Sequence, residues 1–272
     1  MKLTTNRAVI GASAILLLLS LASFFGQYSQ LFELCSHFIF FYAIFQSAIL
    51  VASLVRKIKI AFPLAAIGLA LNIPKLTPMY DHFDLPVPAD VERVRIISFN
   101  CEGKNNHNYE TISQIAKEEK ADIVCFSEIN DAWVENIKVK FKDYPFQNLF
   151  PNYGGIGMVS KLPFADTQVR LSTFRNRPRM LSTIILKNGR RLSLLTVRPT
   201  IPLNKEAFDG RNLDFELYAK DLATIKSSKV LIGDLNCTPW SYYYSKLCAE
   251  AGLVGCNSGK GPANTWLSLI HI

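Results

Sequence analysis

The chain has 272 residues, of which 49% are hydrophobic and only 19% charged, which excludes a disordered chain and leaves room for one or two folded domains. Its formal net charge of +8 favours anionic partners such as nucleic acid, phosphorylated small molecules or acidic lipid. The six cysteines include no CxxC pair, so neither a disulfide-stabilised fold nor a zinc or thiol redox site is predicted.

The first eighty residues are strongly apolar and predict a membrane anchor. Residues 8–25 and 38–55 are each long enough to cross a bilayer core of roughly 30 Å. A second apolar run is not expected after a cleavable signal peptide, so the first run is interpreted as a span. The third run, 60–73, is short and contains Pro63, so it is either a third span or a re-entrant or interfacial helix.

Basic residues beside the spans predict the orientation of the chain. Lys2 and Arg7 flank the first run, and Arg56 and Lys57 lie between the second and the third, so these segments are expected in the cytoplasm. The link at 27–37 has no lysine or arginine. Three spans would deliver the rest of the chain to the outside, whereas two would keep it inside. We therefore expect a multi-pass protein of the cell membrane with an extracytoplasmic catalytic domain.

The pattern changes after a proline-containing linker at 81–92, and residues 93–272 show short apolar strands alternating with amphipathic helices. This alternation is typical of an α/β fold. The predicted strands are 94–99, 121–127, 155–160, 181–186, 191–197 and 229–232. The predicted helices are 109–119, 131–140, 213–226 and 241–251.

Polar residues at three strand ends carry the predicted chemistry. Asn100 ends the first strand, Glu128 follows the second, and Asp234 and Asn236 follow the sixth. Loops at the strand ends of an α/β sandwich converge on one edge, so these side chains are expected to meet despite their separation along the chain. Taken singly, each is more typical of a turn or a helix cap than of a functional site.

Together, the four residues fit the hydrolysis of phosphate esters. Glu128 and Asn100 offer the carboxylate and amide oxygens that Mg²⁺ prefers, with water and a substrate phosphate completing the shell. Asp234 is placed to orient an attacking water or accept its proton. Asn236 lies on the same side of an extended segment and is placed to donate a hydrogen bond to a phosphate oxygen.

Four segments resemble the endonuclease/exonuclease/phosphatase superfamily, over about residues 93–266. They are Arg-Ile-Ile-Ser-Phe-Asn100, Ala-Asp-Ile-Val-Cys-Phe-Ser-Glu128, Gly-Ile-Gly-Met-Val-Ser-Lys161-Leu-Pro163 and Val-Leu-Ile-Gly-Asp234-Leu-Asn236-Cys-Thr-Pro239-Trp-Ser. The apolar N-terminus makes the chain resemble the bacterial membrane-anchored branch. The resemblance implies a four-layer α/β sandwich, two packed mixed sheets flanked by helices, and Mg²⁺- or Mn²⁺-dependent cleavage of phosphate esters. It implies metal-site roles for Asn100 and Glu128, and water and phosphate roles for Asp234 and Asn236.

Two departures from the family pattern concern catalysis. Arg198 stands where the family commonly has histidine, and arginine binds phosphate but does not release a proton near neutral pH. An exposed arginine at a strand end is the alternative. The family's closing Asp-His pair is missing after Trp266, so residues 267–272 are interpreted as a truncated end of an incomplete sandwich and His271 as non-catalytic.

The leading hypothesis is a membrane-anchored phosphoesterase that uses Mg²⁺ or Mn²⁺, with nucleic acid or a phospholipid headgroup as substrate and no protein partner inferred. The alternative is a catalytically impaired, membrane-tethered binding module. Basic residues at 175–179 favour a solvated surface over a phosphate site. The aromatic residues at 240–244 fit either stacking on a base or packing in a core. Glu33 and His37 lie at a predicted membrane interface, where they need no functional role.

Overall fold

The computed structural model describes residues 2–80 and 91–256, and these form two compact units. One unit contains residues 2–80, Cys237–Ala249 and 254–256. The other contains residues 91–236 and Glu250–Leu253. The predictions for 267–272 and His271 lie outside the described residues.

The N-terminal unit begins with apolar helices. They are α1 (Lys2–Ala22), a 3₁₀ turn (Ser23–Phe25), α2 (Gln30–Ser36), α3 (Ile39–Arg56), α4 (Ala61–Leu76) and a second 3₁₀ turn (Thr77–Met79). Two stretches, Thr4–Phe25 and Ile39–Arg56, are long and apolar enough to cross a membrane; a signal sequence would pass the same test. The third predicted run is a shorter apolar helix, α4, which continues through Pro74.

A buried polar cluster joins α1, α3 and α4. Ser20, Gln46 and Asn72 are each fully buried. The Asn72 amide nitrogen donates to the Ser20 hydroxyl (2.9 Å) and to Gln46 Oε1 (3.0 Å), and Gln46 Nε2 donates to Ser20 (3.1 Å). Because buried polar groups are costly unless hydrogen-bonded, this cluster fixes how the three helices pack.

The second unit is built on two mixed four-stranded sheets. The strands are β1 (Ile96–Asn100), β2 (Ile123–Ser127), β3 (Phe146–Phe150), β4 (Ile156–Ser160), β5 (Phe164–Leu171), β6 (Pro178–Ile185), β7 (Arg191–Val197) and β8 (Ser228–Gly233). The first sheet has the order β1-β2-β4-β3 and the second β5-β6-β7-β8. Only two of the pairs among these strands, β1 with β2 and β7 with β8, are parallel. The other helices among the described residues are α5 (Tyr109–Glu118), α6 (Asp131–Lys140), α7 (Lys205–Ala223) and α8 (Tyr242–Ala251).

Alternating side chains of β2 build two separate cores. Ile123 and Cys125 pack between the sheets together with Met180 of the second sheet. Val124 and Phe126 point the other way and pack under α5 and α6. Helix α7 is tied to the second sheet by ion pairs from Arg170 and Arg179 to Asp221, at 2.6 and 2.5 Å. The predicted helix–sheet–sheet–helix sandwich is confirmed.

Three elements differ from the sequence-based prediction. Strands β3 and β5 were not predicted, since β3 is only partly buried throughout and β5 is largely exposed, which weakens the apolar alternation. Helix α7 begins at Lys205 rather than at 213, capped by Asn204, whose side chain accepts from Ala207 N at 2.9 Å. Gly210 lies in the first part of this helix. A Cβ there would lie 2.1 Å from the Phe174 ring, so the close packing requires glycine.

Candidate active site

The two parallel strand pairs bring the predicted site residues together. Asn100 and Ser127 are partners at the ends of β1 and β2, and Glu128 follows directly. Strands β7 and β8 end likewise, with Arg198 and Asp234 as the next residues. The Asn100 amide nitrogen donates to Glu128 Oε1 at 2.8 Å and to Asp234 Oδ2 at 3.0 Å. Side chains from both sheets therefore meet at one edge, although Asn100 and Asp234 are 134 positions apart.

Asn236 is held beside Asp234. Its backbone N–H donates to Asp234 Oδ1 at 3.0 Å, and its side-chain amide donates to the Pro199 carbonyl at 3.1 Å. Only 5% of Asn236 is exposed. The two carboxylate oxygens of Asp234 thus have different neighbours, Oδ1 facing the Asn236 backbone and Oδ2 facing Asn100.

Two of the predicted site residues adopt the left-handed backbone conformation. The φ angle is 59° at Glu128 and 49° at Asn236. Asparagine tolerates this region, whereas for glutamate it costs about 1–2 kcal/mol. The turn at Glu128 is fixed by Gly103, whose N–H donates to the Glu128 carbonyl at 2.9 Å. Such a conformation persists only where the surroundings enforce it, and it turns the Glu128 side chain towards Asn100.

Arg198 lies inside the site. Its Nη2 atom is 2.7 Å from Glu128 Oε1, and only 5% of the residue is exposed. The alternative of a solvent-exposed arginine is therefore wrong. Arg198 contacts Glu128, the carboxylate that was predicted to bind the metal. The two residues follow strands of different sheets, so the contact depends on how the sheets pack.

A second arginine, Arg177, lines the same cleft and was not predicted as a site residue. The cleft has a volume of about 450 Å³, and its lining includes Lys104, Glu128, Arg177 and Arg198. Arg177 Nη1 donates to the Tyr153 carbonyl at 3.3 Å. Within the described ranges, the buried Nε atoms of Arg177 and Arg198 have no hydrogen-bond partner. Burial lowers the pKa of Arg177, and the charge of Arg198 lowers it further.

The basic run at 175–179 is divided between different environments. Arg179 is 7% exposed and pairs with Asp221, while Arg177 enters the cleft. The interpretation as a solvated surface is therefore wrong for Arg179, whereas Arg177 is partly buried and lines the cleft. The only signal in the sequence was the charge run itself, which does not distinguish a cleft from a surface.

Trp240 is not available to stack on a base. It is 8% exposed and packs with Ile39 and Tyr42 in the N-terminal unit. Its indole N–H donates to the Lys75 carbonyl at 3.1 Å. The core-packing interpretation of this aromatic residue is the correct one.

A buried carboxylate, Asp214 of α7, lies near the cleft arginines. Burial raises its pKa to about 6, opposed by the positive charges of Arg179 and Arg177. Burial raises the pKa of Tyr218, and the nearby charge of Asp214 raises it further. Keeping Asp214 ionised therefore costs the folded state free energy.

Replacing Asp214 with asparagine is expected to stabilise the protein at pH 8 by about 1–3 kcal/mol. The native pKa, about 6, lies above the ordinary value of 3.8, so the wild-type carboxyl gives stability below pH 4 that is lost as the pH rises through 6. Urea unfolding at pH 4, 6 and 8 measures this. The variant's advantage should shrink towards pH 4, and a variant no more stable than the wild type at pH 8 would contradict the expectation.

The donor set at the strand ends fits a hard divalent ion. Within residues 2–80 and 91–256, no three His, Cys, Asp or Glu side chains cluster as a metal site. The carboxylate oxygens that converge belong to Glu128 and Asp234, and both accept from the Asn100 amide nitrogen. The Asn100 carboxamide oxygen accepts from the Glu102 N–H at 3.1 Å. Mg²⁺ needs only one or two carboxylates when water and substrate phosphate supply the remaining ligands. The site is thus suited to Mg²⁺ or Mn²⁺ in the presence of a phosphate ester.

Comparison with known families decides the relationship. The model of the endonuclease/exonuclease/phosphatase family matches residues 97–269, more than half of the chain. The chain belongs to this family. In this endonuclease/exonuclease/phosphatase domain, Arg198 forms an ion pair with Glu128 at 2.7 Å.

Solved structures with a similar fold are distant in sequence. D. rerio TDP2 in complex with single-strand DNA product is 16% identical, with a TM-score of 0.49; the match covers 60% of this chain and 66% of that chain. The human nocturnin catalytic domain with bound sulfate is 15% identical, with a TM-score of 0.48 and coverages of 58% and 70%. A β-hairpin deletion mutant of Staphylococcus aureus beta toxin is 18% identical, with a TM-score of 0.47 and coverages of 59% and 73%. No curated protein sequence matches this chain.

Proposed function

We propose that this protein is a membrane-anchored, divalent-metal-dependent phosphoesterase that cleaves phosphodiester or phosphomonoester bonds by attack of an activated water. The convergence of Asn100, Glu128 and Asp234 carries the proposal, because hydrogen bonds of 2.8 and 3.0 Å from the Asn100 amide nitrogen bring together carboxylates from both sheets. Family membership supports phosphate-ester hydrolysis in general.

Each side chain has a distinct role in the proposed reaction. Asp234 orients the attacking water and accepts its proton, with its carboxylate held by Asn100 and the Asn236 backbone. The Asn236 side-chain amide donates one hydrogen bond to the Pro199 carbonyl. Its second N–H donates to a phosphate oxygen of the substrate. Glu128 and Asn100 hold the ion. When bound, Mg²⁺ or Mn²⁺ supplies positive charge that stabilises the developing negative charge on the phosphate oxygens.

The arginines hold the substrate rather than move protons. Arg198 and Arg177 line one cleft and carry adjacent positive charges, so an anion between them relieves their repulsion. Because a guanidinium does not release its proton near neutral pH, Arg198 cannot act as a general acid. The leaving group must therefore take its proton from another source, such as water.

We propose that the apolar helices anchor the enzyme as a multi-pass protein with its catalytic domain outside the cytoplasm. Helices α1 and α3 have the length and hydropathy of spans. The hydrogen bonds of Asn72 in α4 to Ser20 and Gln46 favour α4 as a third member of the same bundle. With α4 as a third span and basic residues at both cytoplasmic ends, the catalytic domain would lie outside the cytoplasm.

A substrate panel tests the function. The full chain in detergent is incubated with DNA, RNA, sphingomyelin and inositol phosphates, each with Mg²⁺, Mn²⁺ or EDTA. We expect metal-dependent hydrolysis of at least one class, abolished by EDTA and reduced by Glu128→Gln. If no substrate is turned over although the chain is folded, the proposal is wrong.

The second candidate is a binding module of the same fold, and the Arg198–Glu128 ion pair of 2.7 Å favours it. An arginine that neutralises Glu128 opposes cation binding. This candidate predicts that the chain binds one member of the panel with a measurable Kd, in EDTA as well as in Mn²⁺, and releases no product.

A further inference from the structure

The segment that directly follows the proposed catalytic loop belongs to the N-terminal unit. The chain leaves β8 through Asp234 and Asn236, and from Cys237 to Ala249 it packs with the apolar helices. A chain advances at most about 3.6 Å per residue, so Thr238 lies within about 7 Å of Asn236. Whatever holds the residues after Cys237 therefore restricts the loop before it.

Glu33 of α2 forms the central contact of this segment. It is 1% exposed. Its Oε1 atom accepts a hydrogen bond from the Ser241 hydroxyl, and its Oε2 atom accepts from the Tyr242 backbone N–H at 3.3 Å. Ser241 Oγ in turn accepts from the Tyr244 N–H at 3.2 Å, as a cap of α8. A carboxylate beside the first turn of a helix also interacts favourably with the helix dipole.

Two further contacts hold the residues between Asn236 and Ser241. His37 is 5% exposed, and its Nδ1 atom is hydrogen-bonded to the Thr238 hydroxyl at 2.8 Å. Trp240 packs on Ile39 and donates to the Lys75 carbonyl at 3.1 Å. Three successive anchors, at positions 238, 240 and 241, thus join this segment to the helical unit.

We propose that Glu33 and His37 are positioning residues, which hold residues 238–242 so that Asp234 and Asn236 keep their catalytic geometry. This inference rests on the proposed phosphoesterase function. It follows from contacts within one unit and from the continuity of the chain through Asn236 and Cys237.

The test compares variants of the full chain in detergent. Glu33→Ala removes both acceptors, and Glu33→Gln retains an acceptor oxygen. Asn72→Ala is the matched control, since Asn72 is also fully buried in the N-terminal unit but bonds to Ser20 and Gln46. The readouts are kcat and KM on the substrate found in the panel, and hydrogen exchange at the amides of residues 242–244.

We expect Glu33→Ala to lower kcat about tenfold or more with KM within about twofold, and to speed amide exchange at 242–244. Glu33→Gln should recover much of both losses. Asn72→Ala should lower thermal stability while keeping kcat and this exchange near the wild type.

Three results would overturn the inference. Unchanged exchange in Glu33→Ala would show that Glu33 does not hold the segment. Faster exchange with unchanged kcat would show that the segment does not position the loop. An equal fall of kcat in Asn72→Ala would mean that any loss of stability has the same effect. If the wild type hydrolyses nothing, the proposed function fails, and a normal exchange rate in Glu33→Ala would then separately reject the docking.

Discussion

Replacing Asp234 with asparagine is expected to lower metal-dependent hydrolysis about 10³-fold while leaving the fold intact. The change removes the basic oxygen that accepts the proton of the attacking water. Asparagine has the same size and retains an oxygen that can accept from the Asn236 N–H, which is 3.0 Å from Oδ1 in the wild type. The effect should therefore fall on kcat, with circular dichroism and urea unfolding close to those of the wild type.

Asp209→Asn is the matched control for this experiment. Asp209 lies on α7, its side chain is 51% exposed, and its partner is Lys205 at 2.6 Å. Exposed pairs of this kind contribute only about 0.3–0.5 kcal/mol, so activity should stay within about twofold of the wild type. Substantial metal-dependent turnover in Asp234→Asn would contradict the role given to Asp234, whereas equal losses in both variants would point to a general effect of charge.

The core of the site was predictable because its members are strand-end residues. Asn100, Glu128 and Asp234 each follow an apolar strand, and parallel strands place such residues on one edge. The structure brings these three together, as expected. Arg177 was not predicted, because its place in the cleft depends on the loop between β5 and β6, and a run of arginines carries no information about that loop.

The sheets were predictable where both faces of a strand are buried. Every residue of β2 and of β4 is buried, and both strands were predicted from their apolar runs. Strand β5 has mostly exposed positions, so its sequence lacks the pattern that burial imposes. A strand buried on both faces is thus easier to predict from the sequence than an exposed strand.

The docking of residues 237–249 on the N-terminal helices could not be predicted. Glu33 and Ser241 are 208 positions apart, and neither belongs to a pattern that indicates a partner. A lone acid between two apolar runs is typical of a membrane interface. Its contact with the helix cap depends on tertiary packing alone.

Replacing Gly233 with alanine is expected to destabilise the protein by about 3 kcal/mol or more and to abolish hydrolysis. Gly233 has a φ angle of +139°, which side chains rarely adopt, and an added Cβ would lie 1.9 Å from the Val197 carbonyl oxygen. Val197 is its partner in the parallel pair of β7 and β8, so the clash is with backbone that cannot rotate away. Relief requires the two strand ends to separate, which would displace both Arg198 and Asp234.

Gly189→Ala separates this clash from simple backbone strain. Gly189 also has a positive φ, +78°, but an added Cβ would meet no atom within 4 Å. It should lose only about 1–2 kcal/mol and retain activity. Urea unfolding of both variants, with the hydrolysis assay, measures the difference. If Gly233→Ala lost no more stability than Gly189→Ala and remained active, the strand ends could separate without harm. The close approach of β7 and β8 would then not be what sets the position of Asp234.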